Sequence, residues 1–218
     1  MVNDTDEKKI EQAKYLAKKY NREGWGSRGA VLHAIYDIFE TGIPEDMFIR
    51  ICSIIDPFHA GASGFYENNK GYGATMCGAL SGGLAAFGMV HGWKDFPYKF
   101  WTEGMKSDGW ISTMLEDPEV TRKDKALVFL DHLRPLGYGG YYQIASRFKE
   151  HFGSTHCLDL VLPYGEYVTR AVFKNCHKII IWTAGMVASV ILEHERDPES
   201  LQIDDRNPHL YILEENQT

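Results

Sequence analysis

The sequence predicts an all-α protein, a compact multi-helix bundle with an enlarged helical insertion, and three observations carry that expectation. Apolar residues recur at three- and four-residue spacing in one segment after another, the periodicity of helices with one buried face. The 218 residues are 44% hydrophobic and 24% charged, a balance that supports a core without disulfide staples. No stretch combines strand alternation with turn chemistry well enough to mark a β-hairpin, and there is no internal repeat. Residues 1–196 are expected to form a single helical domain with the insertion at about 94–149, and 197–218 an acidic C-terminal arm.

The elements follow in order. Ile10, Ala13, Leu16, Ala17 and Tyr20 line one face of a helix over 6–20, with Thr5 as its N-cap and a solvated charge run opposite. Ser27 caps a second helix through Val31, Leu32, Ile35, Ile38 and Phe39, stopped at Gly42. Pro44 opens a third, which carries Ile49, Cys52 and Ile55 and ends at Asp56-Pro57. Residues 61–73, rich in Gly, Asn and Ser, read as a loop. A helix begins near Thr75 and exposes a strip of Gly78, Gly82, Ala85 and Ala86, against which a neighbour can come close. Each glycine there costs about 1 kcal/mol relative to alanine, so the strip points to a packing constraint. Weaker helical patterns cover 96–106, 121–132 and 139–152. Ser154 caps a short helix holding Cys157, and a long helix runs from about Gly165 to His194.

A net charge of −7 with no Lys/Arg stripe excludes a nucleic-acid footprint. Residues 1–20 are charged and lack the apolar core of a signal peptide, so the expected location is cytoplasmic. Two stretches are apolar enough to weigh as membrane spans, Ala74–Gly92 and Ile179–Leu192. The first is packed with glycine and the second is too short, so both read as buried helices and no membrane span is expected. Four cysteines in such a chain favour reduced thiols, a redox pair or metal ligation over a disulfide framework.

The hexapeptide Cys77-Gly78-Ala79-Leu80-Ser81-Gly82 places a thiol at a loop-to-helix junction. There the dipole and the unpaired N–H groups favour thiolate, and with it nucleophilicity or metal affinity. Cys157 shares this logic behind Ser154. Cys176, expected inside a helix on the face of Val172, Ile179 and Ile180, reads equally well as a small buried hydrophobe. Cys52 lies on an apolar helix with nothing distinctive beside it, where the core reading is the simpler one. There is no CxxC and no CxxCH, so zinc-ribbon, thioredoxin and covalent haem motifs are excluded and any shared site must be assembled by the fold. His156 and His177 adjoin cysteines but point about 100° away from them on a helix, which makes them poor co-ligands. Gly71-Tyr72-Gly73 and Gly137-Tyr138-Gly139-Gly140 lack the context of phosphate loops, and Asp131-His132 and Glu193-His194 lack a partnering nucleophile elbow.

The hexapeptide, the run Phe152-Gly153-Ser154-Thr155-His156-Cys157 and Cys176 in a terminal helix together resemble the C_GCAxxG_C_C family of redox-active proteins, whose module also occurs in split-Soret cytochromes. The resemblance covers roughly residues 24–92 and 150–192. It implies a helical domain whose cysteines converge on a redox site, with an iron–sulfur cluster as the expected cofactor, or none if the site works as a dithiol/disulfide pair. One departure matters: where the family carries a cysteine opening the early helix, this chain has Gly29, in Arg28-Gly29-Ala30-Val31. The expected metal ligands are therefore Cys77, Cys157 and Cys176, with Cys52 or His59 as a fourth donor, while Gly78 and Gly82 allow close approach at the cofactor site. The expected partner is a redox protein, and a homodimer is compatible with the glycine-lined helix. A competing reading is a non-catalytic interaction subunit whose aromatic residues, including Trp93, Trp101, Trp110, Tyr138, Tyr141 and Tyr142, meet another protein.

Overall fold

Helix α1, Asp4–Arg22, opens on Asp4, Asp6 and Glu7 and closes on Lys19 and Arg22, so its charges complement the dipole at both ends. It belongs to a computed structural model that describes residues 4–55, 65–68, 71–74, 76–92, 106, 109, 138–164 and 169–201. His59, Trp93, Trp101, Trp110, Gly137, Asp131-His132, the helices expected over 96–106 (apart from Lys106) and 121–132, and the arm beyond Leu201 lie outside the described residues.

The described chain continues through α2 (Gly26–Tyr36), α3 (Glu45–Ile55), strands β1 (Phe65–Asn68) and β2 (Gly71–Ala74), α4 (Gly78–His91), α5 (Tyr138–Phe152), α6 (Cys157–Val161) and α7 (Arg170–Arg196). It is an all-α bundle with one small exception. β1 and β2 pair antiparallel with Phe65 opposite Ala74 and Asn68 opposite Gly71, where a loop was expected. Glycine-rich sequence masks strand periodicity, because Gly71 and Gly73 on either side of Tyr72 contribute no side chains to alternate. Other boundaries also move. Trp25, not Ser27, occupies the N-cap of α2 and makes no side-chain capping bond. α4 begins at Gly78, later than Thr75, and α7 at Arg170, where Thr169 caps by accepting from the Val172 N–H at 3.2 Å.

The core is built around α4. Consecutive glycines face two different helices: a Cβ on Gly82 would lie 2.5 Å from the Arg28 carbonyl oxygen of α2, and one on Gly83 would lie 2.7 Å from Val187 Cγ2 of α7. α2 and α7 therefore close onto α4 at distances no other residue pair would permit. α4 and α7 run side by side in the same direction, since Gly83 meets Val187 and, further along both, the rings of His91 and His194 stand 4.5 Å apart. α5 runs antiparallel to α4, with Ile144 near Gly83 and Gly140 against the Phe87 ring. The end of the expected insertion is thus core, and Ile144 and Phe148 are fully buried. The start of the expected arm returns as well: Leu201 is buried and its backbone lies against Gly139. Arg147 of α5 grips Glu193 of α7 through two bonds of 2.8 and 2.6 Å. α1 lies antiparallel on α7, with Asn21 Nδ2 2.6 Å from His177 Nδ1 and Lys14 over Gly185. α7 is long and apolar enough to cross a bilayer, but 61% of its most apolar window is buried inside the molecule, as expected of a core helix.

Gly82, at the α2–α4 contact, and Gly29, which faces away from α4, should respond oppositely to alanine. Gly82→Ala drives a methyl into the Arg28 backbone and should lower stability by about 1–3 kcal/mol despite the gain in helix propensity. A Cβ on Gly29 meets only Trp25, at 3.4 Å, so Gly29→Ala should be neutral or stabilise by up to about 1 kcal/mol. Chemical denaturation of both variants, with unchanged m-values, measures the difference.

Candidate thiol site

Cys77 is the N-cap of α4, with extended backbone at φ −60° and ψ 131°. Its N–H donates to the Thr155 carbonyl at 2.8 Å, and its carbonyl accepts from the Ser81 N–H at 2.9 Å. The first bond ties the start of α4 to the turn that leads into α6. In that turn Ser154 does not cap the helix as expected. Its hydroxyl instead accepts from the His156 N–H at 3.0 Å and donates to Asp159 at 2.8 Å, leaving His156 at the N-cap and Cys157 as the first residue of α6. Because α7 starts late, Cys176 falls in its second turn. Three cysteines remote in sequence thus come from the openings of three helices.

They also act on one another. Cys77 is 7% exposed, and Cys157 and Cys176 are half-buried. Burial pushes the Cys77 thiol up to about 12. The N–H groups of Leu80 and Ala79 oppose that rise, and the nearby Cys157 and Cys176 add to it. Burial likewise raises Cys176 to about 11, again assisted by Cys157. The expectation of an activated Cys77 thiolate is corrected here. The amides of a helix start do favour thiolate, but removing a charge from water at a 7% exposed position costs more than those amides return.

A buried cation stands close by. Arg28 of α2, 2% exposed, donates from Nε to Ser81 Oγ at 2.9 Å, and Ser81 Oγ donates in turn to the Gly78 carbonyl at 3.0 Å. This chain links α2 to the first turn of α4, directly after Cys77. Neither Arg28 nor Ser81 was assigned a role from the sequence. The available signal was a lone charge among Gly29, Ala30, Val31 and Leu32, all of them buried. Gly83 was missed for a different reason, as the expected small-residue strip followed a single face.

The remaining candidates separate from this group. Cys52 and Gly29 both line a cavity of about 240 Å³ between α2 and α3. Gly82 serves the close approach of α2, and buried Gly78 accepts the Ser81 hydroxyl. His177 is engaged with Asn21 across α1. Among the described residues no three His, Cys, Asp or Glu side chains are gathered closely enough to hold a metal ion as they stand. Comparison with protein-family models, curated proteins and solved structures gives no match to this chain.

The raised thiols have an alkaline signature. A group whose folded pKa lies above its unfolded value contributes stability that is complete below the unfolded pKa and disappears as pH rises through the folded one. For Cys77 that window runs from 9.0 to about 12. Unfolding free energy should therefore fall across it, and by pH 11 Cys77→Ala should flatten the decline by an amount on the order of 3 kcal/mol. Denaturant titrations at pH 8, 9.5 and 11 follow the effect.

Proposed function

We propose that this chain is a redox protein whose Cys77, Cys157 and Cys176 hold a thiophilic metal or an iron–sulfur cluster, in keeping with its resemblance to the C_GCAxxG_C_C family. The observation that carries this reading is the convergence of three thiols on one electrostatic neighbourhood, each charge felt by another. Three neighbouring sulfurs repel one another as thiolates, and a bound cation reverses that penalty by deprotonating the thiols it ligates. The donor chemistry fits, being soft and close to helix starts. Ligation would require the three thiols to draw together. Such a centre supplies one-electron transfer. Cys52 lines the α2–α3 cavity, which Cys77, Cys157 and Cys176 do not, so this reading gives the fourth position to an exogenous ligand or another side chain.

Two exposed apolar residues support docking by a redox partner. Met76, 37% exposed, precedes Cys77, and Phe173, 62% exposed, lies one turn before Cys176. A second reading, a dithiol/disulfide protein without metal, is favoured by the half-burial of Cys157 and Cys176, which leaves both within reach of a partner thiol.

Protein isolated without oxygen should be brown and contain iron and acid-labile sulfide, or else stoichiometric zinc. Cys157→Ser should abolish retention of the metal, while Cys52→Ser leaves it intact. A colourless, metal-free preparation would overturn the metal reading, and four titratable thiols in an air-exposed sample would remove the disulfide one.

A further inference from the structure

Phe48 is the only buried residue of α3. Its ring stacks on Tyr36 with centroids 4.0 Å apart and leans on His33 at 5.1 Å, so the deepest contact of α3 with α2 is one side chain on two rings. α1, by contrast, buries Ala13, Ala17 and Tyr20, and α7 is buried along much of its length from Ile179 to Leu192. A helix held so lightly opens more readily than either of those. The Tyr36 hydroxyl also donates to the Ile43 carbonyl at 2.9 Å, which ties down the loop just before α3.

His33 is the titratable half of that seat. Besides Phe48, its ring is covered by Tyr20 of α1, stacked at 3.8 Å, and by the edge-on ring of Trp25 at 4.3 Å. Its Nδ1 is shut off from water and has no hydrogen-bond partner. A neutral imidazole can leave Nδ1 as a bare acceptor, whereas an imidazolium carries N–H on both nitrogens and would bury a charged donor with nothing to receive it. Nε2 faces Asp37 Oδ1 at 3.7 Å, beyond hydrogen-bond range, and the other Asp37 oxygen accepts the Tyr20 O–H. The charged groups near the ring are Lys19 and Glu23 of α1, Asp37 at the end of α2 and Glu45 of α3. Loss of water holds His33 below the usual histidine range and outweighs Asp37, Glu23 and Glu45, which favour imidazolium, while Lys19 adds to the lowering.

We propose that His33 is an acid-sensitive latch on α3: protonation of its ring breaks the seat of Phe48, and α3 lifts from α2 to open the cavity of about 240 Å³ between them. The ring takes up one proton from solvent and no covalent bond changes. Opening returns His33 to water and to its ordinary value of 6.5. The closed state is therefore fully favoured above that value and loses its advantage as pH falls through the lower folded one. This goes beyond the thiol-site reading and does not depend on it, since none of Cys77, Cys157 or Cys176 lies on α3 or lines the cavity.

Hydrogen–deuterium exchange of the full chain at pH 7.5 and pH 5.5, with labelling times scaled to the intrinsic chemical rate at each pH, reads the opening of each helix separately. Amides of α3 should exchange about three- to tenfold faster at the lower pH, tenfold being the ceiling that an opened-state value of 6.5 sets. Amides of α1 and α7 should keep their protection. His33→Gln is neutral at both pH values and should remove the difference. His33→Phe, which keeps a ring against Phe48, makes the same test if the glutamine variant does not fold. The proposal is overturned if α3 of the unmodified protein exchanges alike at the two pH values, if α1 or α7 opens to the same extent, or if the difference survives in either variant.

Discussion

Two adjacent glycines on α4 set the spacing on which the rest of the molecule depends. Gly82 lets the Arg28 backbone of α2 into van der Waals range and Gly83 does the same for Val187 of α7. Because adjacent residues on a helix point about 100° apart, the pair opens two neighbouring faces of α4. With α2 and α7 both seated, α5 closes over Gly83 and Phe87 through Ile144 and Gly140, and α1 covers the outer side of α7. The same seating sets the register of α7 against α4, Gly83 meeting Val187 and His91 meeting His194, which leaves Cys176 a little over one turn before the part of α7 level with Cys77.

Competition between burial and backbone dipoles decides what those sulfurs are. A helix start in water lowers a thiol pKa, and the same start sealed inside a core does not, because a few N–H groups cannot replace the solvation that is lost. Cys77 lies at the sealed extreme and Cys176 in between. Buried Arg28 turns its Nε to Ser81 in the first turn of α4, close behind Cys77.

Much of the helical framework was legible because each helix carries its own evidence. Ala13, Ala17 and Tyr20 mark the buried side of α1, Pro44 marks the start of α3, and α5 lies within one residue of its expected start. What failed was information that resides in pairs of segments. The β1–β2 pair hides in glycine-rich sequence, Gly83 acquires meaning only against Val187, and Arg28 only against Ser81. The proposal that Cys77, Cys157 and Cys176 act together rests on family resemblance, since no spacing rule connects residues so far apart. The direction of the Cys77 pKa was misjudged because local sequence reveals a helix start but not how deeply it will be covered.

The bond from the Cys77 N–H to the Thr155 carbonyl holds two cysteine-bearing segments together through main-chain atoms alone. Side chains on either side can drift without erasing it, and at its donor end only proline removes the hydrogen. The placement of Cys77 beside the Cys157 turn is therefore inherited with the path of the chain and not with the identity of its residues. Descendants of this sequence could exchange the side chains around that bond and still bring these two positions together, provided Gly82 and Gly83 keep α4 seated against its neighbours.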